Sequence, residues 1–325
     1  MKTNLLLQMA CAALMIYSFT LSRGAAAEIS CAATWETDYE MRGLNWDKPD
    51  PSWAELYPSG RRPKPTTCYT LLLKGALRSG DSEIFLKVLS VHHPFVRTVL
   101  LWSPGGSVVE AMKIGRMVRK NMLKTWAPTE LDANGLGHLY DPTSDPLSRN
   151  TRDLCDGEGC NCASACFLIW ASGIERYGSA LGLHRPTTNS TDFTDLPPDR
   201  GSSAYREILS GVEQFLLEME VPQRFIDKMT GTASNNVSWL IWEDQESLQE
   251  VSSISELLLA SCGSLSRDER DFSYQVNDRQ RAKMALSERQ QSLRDRVRQH
   301  QDAINKCREI KIEAFRDSSP SPRIN

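Results

Sequence analysis

The chain has 325 residues and a formal net charge of −3, from 38 lysines and arginines against 41 aspartates and glutamates. With both signs mixed along it, nothing electrostatic points to nucleic acid or an anionic membrane as a partner. The length exceeds one typical domain of about 100–200 residues, so one main core carrying extensions is expected.

Residues 1–27 read as a secretory signal peptide: Lys2, an apolar stretch from Leu5 to about Leu21, and Ala25-Ala26-Ala27 before Glu28. A retained anchor is the alternative, since that stretch sits at the lower length limit for crossing a bilayer. No later stretch reaches spanning length, so the expected location is periplasmic or secreted, with no membrane span after cleavage. Residues 28–67, rich in Trp and Pro without steady periodicity, read as an irregular arm tied down by Cys31, with Cys68 a second anchor that stays open.

From Cys68 the pattern becomes regular. Tyr69 to Leu73 reads as a buried strand, and Ile84, Phe85, Val88 and Leu89 as a helical stripe after Gly80-Asp81. Val99 to Trp102 is a second strand, closed by Ser103-Pro104-Gly105-Gly106. A helix then opens on the capping box Ser107-x-x-Glu110 and carries Ala111, Ile114, Gly115 and Val118. Strands alternating with helices imply a parallel sheet covered on both faces. Residues 126–161 turn polar, with Asn134-Gly135 and repeated Asp, Pro and Ser, and read as a long insertion: a lid or a disulfide-pinned loop.

Regularity returns with a buried helix from Ala165 to Ala171, stopped by Gly173, and a strand from Ala180 to His184. Tyr205, Ile208, Val212, Phe215 and Met219 mark a long amphipathic helix, and Val221-Pro222 starts another. The α/β domain thus runs over residues 68–262. Residues 263–325 form a charged helical extension in which Leu286, Leu293, Val297, Ile304 and Cys307 fall near heptad positions. A helical hairpin or short coiled coil and a solvated helix lying on the main domain both fit, and truncation before Ser266 is expected to leave the core folded.

Beyond Cys11 the chain holds an even eight cysteines: Cys31, Cys68, Cys155, Cys160, Cys162, Cys166, Cys262 and Cys307. In an exported protein that favours disulfides. The expected pairings are within the Cys155–Cys166 cluster or from it to the arm, and Cys262 with Cys307. Zinc is the rival for the dense cluster, but no C-x2-C pair and no second ligand cluster accompanies it, so neither metal nor cofactor is expected.

Three motifs carry chemistry. Ser103-Pro104-Gly105-Gly106 lies between a strand and a helix, where free amides converge and backbone can approach a ligand. Ser164, in Cys162-Ala163-Ser164-Ala165-Cys166, starts a buried helix among small neighbours. A nucleophile needs such a position, and so does an ordinary helix-capping serine. His184 ends a short apolar strand in Gly182-Leu183-His184-Arg185-Pro186.

The succession of Gly75, Gly80-Asp81, Ser103-Pro104-Gly105-Gly106, Ala163-Ser164-Ala165, Gly173, Arg176 and Gly182-Leu183-His184-Arg185-Pro186 resembles the Clp protease proteolytic subunit, and most of all its exported bacterial periplasmic relatives. The resemblance covers residues 68 to about 250. It implies an α/β fold of the ClpP/crotonase type built from repeated ββα units. It also implies Ser164 as nucleophile, His184 as base, and the amides of Gly106 and Ala165 as oxyanion hole. The chain departs from the family in its insertion, in the cysteines flanking Ser164, and in lacking the glycine of Gly-x-Ala-Ser.

The third member of the triad is not evident. Asp192, Asp195 and Asp199 follow His184 too soon, and Asp227 sits between Phe225, Ile226 and Met229 on a solvent-facing site. Asn236 falls nearest the family position, with Asn235 beside it. The implied activity is a serine hydrolase, a peptidase acting on envelope polypeptides. A catalytically weak module of the same fold that binds protein partners is the alternative, acyl-CoA chemistry does not suit an exported chain, and homo-oligomerisation stays open.

Overall fold

The computed structural model describes residues 27–41, 46, 56–129, 160–187, 198–281 and 285–322. The expected signal segment and most of the insertion lie outside them. The fold is mixed α/β, and no helix among the described residues is long and apolar enough to cross a membrane.

Five strands form the main sheet: β1 (Glu28–Thr34), β2 (Cys68–Lys74), β3 (Thr98–Trp102), β4 (Lys124–Trp126) and, as its last strand, β6 (Arg176–Tyr177). β2, β3, β4 and β6 run parallel. Helices α2 (Asp81–His92) and α3 (Val108–Lys120) make the crossovers, as the alternation of apolar runs and helical stripes predicts. A second sheet holds β5 (Cys162–Ala163), β7 (Leu181–Leu183) and β8 (Ser238–Trp239), with β5 and β7 parallel. A parallel bridge from Ser103 to Cys162 joins the two sheets.

The expected irregular arm is regular at its start. β1 pairs antiparallel with β2 from Glu28↔Lys74 to Thr34↔Cys68, with register shifts between Cys31 and Thr34, and a disulfide joins Cys31 to Cys68. Helix α1 (Trp35–Met41) follows. Ser30, Ala32 and Ala33 carry little hydrophobic signal, so this strand is specified by its partner rather than by its own period.

Leu71, Leu73, Val99 and Leu101 point from the sheet into the main core, against Phe85 and Leu89 of α2 and Ala111, Ile114 and Val118 of α3. Helix α4 (Ala165–Trp170) is buried along its whole length and packs on α3, with Val212, Phe215 and Leu216 of α5 (Pro198–Glu218) in the same core. The Ser107 hydroxyl caps α3 by accepting from the Glu110 amide. Only half of the predicted box forms: the Ser107 amide donates to Leu77 O, and the Glu110 carboxylate accepts from the Ser82 amide at 2.8 Å.

After α6 (Gln223–Gly231) and α7 (Trp242–Glu246), helices α8 (Ser252–Cys262), α9 (Arg267–Arg281) and α10 (Glu288–Ser318) complete the described chain. α9 and α10 form a hairpin with His300 Nδ1 2.9 Å from Glu269 Oε1, and Cys262–Cys307 ties α8 to α10. Val297 and Ile304 are buried in this seam, while Leu286 and Leu293 are half-buried.

The expectation that this extension is separable does not hold at its end. Glu313 is fully buried and lies 2.7 Å from Nη1 of Arg97, itself 5% exposed, and Arg97 Nη2 donates to the Tyr57 hydroxyl at 2.8 Å. Arg316 pairs with Glu313 and donates to the carbonyls of Asn121 and Met122. Asp317 accepts from the amide and hydroxyl of Ser59 and pairs with Arg61. Arg97 stands just before β3, and Asn121 and Met122 just before β4, so α10 docks on the N-terminal edge of the parallel sheet.

Candidate active site

The three motifs lie at the opposite, carboxyl ends of β3 and of β5 and β7 in the second sheet. Ser103-Pro104-Gly105-Gly106 follows β3, Ser164 follows β5 and His184 follows β7, all parallel, so the three loops emerge side by side. α/β sheets commonly hold ligands at this carboxyl end.

The turn at Ser164 is short: β5 ends at Ala163 and α4 begins at Ala165. Ser164 has φ 57° and ψ −123°, a backbone state that L residues avoid and that costs about 1–3 kcal/mol where it persists. Hydrogen bonds pin the approach. Cys162 N donates to Ala180 O, Ala163 N to Ser103 O at 3.1 Å and Ser164 N to Gly182 O at 2.9 Å. The Cys162–Cys166 disulfide spans the turn, with both sulfurs buried.

Ser164 precedes α4 in the capping position, yet its side chain makes no cap hydrogen bond. A capping serine takes an extended backbone and accepts from an amide of the first turn. Ser164 does neither, so the commoner explanation for a serine at a helix start does not apply. Its hydroxyl makes no hydrogen bond with any described residue, His184 included, although the residue is 8% exposed.

The glycine loop packs directly on this turn. Gly105 has φ 103°, and a Cβ there would lie 2.6 Å from the Ser164 Cβ. Gly106 has φ 130°, and a Cβ on it would lie 2.2 Å from Leu77 O. Leu77 N donates to Gly105 O and Ser107 N to Leu77 O. That pattern turns the intervening Gly106 N–H away from Leu77. Neither the Gly106 amide nor the Ala165 amide donates to any described residue, which leaves two donors beside Ser164 open to an incoming oxygen.

His184 is half-buried, and its Nδ1 lies 2.8 Å from the carbonyl oxygen of Arg185. A carbonyl can only accept, so in the neutral ring this contact assigns the proton to Nδ1 and the lone pair to Nε2. That is the tautomer a general base needs, set by backbone where a triad uses a carboxylate.

Asn236 precedes β8, whose Ser238 pairs with Leu183 next to His184, but the ladder does not continue to it: the Arg185 amide donates to Thr232 O and the Asn236 amide to Ala233 O. Its Oδ1 accepts from the Val237 amide at 2.9 Å, and the residue is exposed, as is Asn235. Asp227 accepts from Gln223 Nε2 on the exposed side of α6. The structure therefore brings Ser164, the two amides and His184 to one edge and places no acid of this set against the imidazole.

Cys160 is also disulfide-bonded, with its partner outside the described residues, so three of the four clustered cysteines hold no thiolate for a metal. Among the described residues no group of three or more His, Cys, Asp or Glu is placed to hold a metal ion. One site feature escapes sequence reading. The Arg185 carbonyl has no side-chain signature. The staple across Ser164 was readable in outline, because cysteines four apart flank a serine where a strand becomes a helix.

Among solved structures the chain is similar to a point mutant of ClpP1 from Listeria monocytogenes, at 14% identity and a TM-score of 0.37, covering 57% of this chain and 89% of that one. At that level it is a weak likeness of fold, and it carries no argument about the site. No protein-family model matches the sequence, and no curated relative does.

Proposed function

We propose that the chain is an exported serine hydrolase on a ClpP/crotonase-like fold, a peptidase cleaving polypeptides of the cell envelope. The observation that carries this reading is Ser164 itself: a non-glycine residue held at φ 57° between strand and helix, with its hydroxyl free of the capping bond that would otherwise explain it. Strain of this kind concentrates where a side chain must be presented to a substrate.

Ser164 Oγ attacks the scissile carbonyl carbon while Nε2 of His184 takes the hydroxyl proton. The carbonyl oxygen gains the negative charge and receives the amides of Gly106 and Ala165. The C–N bond then breaks as the imidazolium returns its proton to the leaving amine, and water, deprotonated by the same His184, releases the acyl group from Ser164. With a backbone carbonyl behind the imidazole in place of a carboxylate, the imidazolium gains less stabilisation, and turnover is slow for a serine peptidase. The disulfides fit an oxidising compartment.

Labelling with a fluorophosphonate tests the reading. The native protein should form one adduct at Ser164, and Ser164→Ala should form none. A native protein that stays unlabelled while fully folded would instead support the fold as a non-catalytic module that binds protein partners.

A further inference from the structure

We infer that Cys162 and Cys166 are positioning residues for the nucleophile: their disulfide holds the Ser164 turn in the backbone state that presents the hydroxyl beside the Gly106 and Ala165 amides. This rests on the serine-hydrolase reading above and adds a part to it.

A left-handed, non-glycine conformation survives only where its surroundings over-determine it. The constraints on the two sides of Ser164 are uneven. On the entry side three backbone hydrogen bonds tie residues 162–164 to Ala180, Ser103 and Gly182. On the exit side the amide of Ala165 has no described acceptor, as the proposed chemistry requires, and the backbone bond into α4 is the one from the Phe167 amide to Ser164 O at 3.0 Å. The link that joins β5 to α4 across the whole turn is covalent. Cys162 lies on β5, Cys166 in the first turn of α4, their Cα atoms are 5.2 Å apart, and Ser164 is at the centre of the segment they close into a ring.

Without that bond the relative rotation of β5 and α4 falls on the torsions of Ser164, which relax toward the negative-φ wells open to L residues. The hydroxyl then leaves the two amides, and a displacement of about 1 Å suffices to cost about 10²-fold in rate. Both cysteines are buried, so their part is geometric and not thiol chemistry. The other disulfides join β1 to β2 and α8 to α10, away from the turn, and supply the control.

The test compares full-length protein, the Cys162→Ala/Cys166→Ala variant and the Cys262→Ala/Cys307→Ala variant by the rate of fluorophosphonate labelling at Ser164 and by thermal unfolding. The first variant should stay folded and label about 10²-fold more slowly, with kcat on a peptide ester falling more than KM changes. The second should lose thermal stability and label at the native rate. A folded Cys162→Ala/Cys166→Ala variant that labels like the native protein overturns the inference.

Should that variant not fold, stepwise reduction of the native protein with a phosphine, followed by mass spectrometry, reads the same quantity. Labelling should fall with opening of Cys162–Cys166 and not of Cys262–Cys307, and labelling that survives opening of the first pair overturns the inference. A native protein that takes no label sinks the hydrolase reading alone. The crystal structure of the variant then decides the positioning role: φ of Ser164 turning negative supports it, and a retained positive φ overturns it.

Discussion

The two ends of the parallel strands are held in opposite ways. At the carboxyl edge, Ser164, Gly105 and Gly106 sit in positive-φ backbone fixed by hydrogen bonds and a disulfide, with two amides left open. At the amino edge, Arg97, Glu313, Arg316 and Asp317 form a buried ionic cluster that fastens α10, with the Arg97 guanidinium 4.9 Å from the Trp35 ring. Burial pushes the Tyr57 hydroxyl far above its ordinary pKa, against the lowering effect of Arg97, so it stays protonated as a donor to Glu313. One edge stores conformational strain and leaves polar groups unpaired; the other pairs its charges. Substitutions at one edge should therefore move activity and at the other stability.

Glu313→Ala should show the largest effect. It leaves Arg316 buried without a carboxylate and Arg97 with only the exposed Glu309, which costs about 3–5 kcal/mol. Urea unfolding should record that loss, while the molecules that remain folded label at the native rate. A shift below about 1 kcal/mol would mean that the cluster behaves as a surface pair.

Gly105→Ala is the counterpart at the other edge. Its methyl meets the Ser164 Cβ and its backbone holds φ 103°, so labelling should fall about 10²-fold. Native labelling in this variant would show that the loop yields without moving the serine.

Asp317→Asn comes next. Burial raises the pKa of this carboxyl, but hydrogen bonds from Ser59 and the charge of Arg61 outweigh it and hold it below the usual range. A depressed carboxylate stabilises the fold above its unfolded pKa of about 3.9 and loses that contribution as pH falls through its folded value. The variant should lose about 1.5–3 kcal/mol at neutral pH and show a flatter acid limb below pH about 4. An acid limb unchanged from the native protein would assign the effect to other groups.

Asn236→Asp should have the smallest effect and the opposite sign. A carboxylate in the turn that leads into β8, the strand paired with β7, adds charge stabilisation to the imidazolium, so ester hydrolysis should rise several-fold, on the order of 1 kcal/mol. A folded variant with no rise places this position too far from the ring to act.

The strands and helices that pack by apolar area were legible in the sequence. β2, β3, α3 and α4 follow from runs and stripes such as Leu71 to Leu73 and Ala111, Ile114 and Val118, all buried as read. Ile84, read into the α2 stripe, is 44% exposed, because a stripe wider than the contact leaves its margin in solvent. The docking of α10 was not legible, since Glu313, Arg316 and Asp317 read as solvated charges until Arg97 and Ser59 stand opposite them. Ser164 could be chosen by neighbours and order, but its backbone state comes from Gly105, Gly182 and the disulfide together, and no local pattern encodes it. The contact of His184 with a main-chain oxygen is invisible to any reading of side chains.

The strand at the margin of the main sheet has a bearing on association. Among the described residues β1 pairs on one side only, with β2, and an unpaired strand side is a template on which a second molecule can add its own. The register shifts between Cys31 and Thr34 bend that side away from a flat ladder, and the Cys31–Cys68 bond forbids β1 to slide or to be replaced by the same strand from another copy. The protein thus carries at residues 28–34 two guards, one against edge-to-edge aggregation and one against strand exchange, and reducing Cys31–Cys68 removes the second.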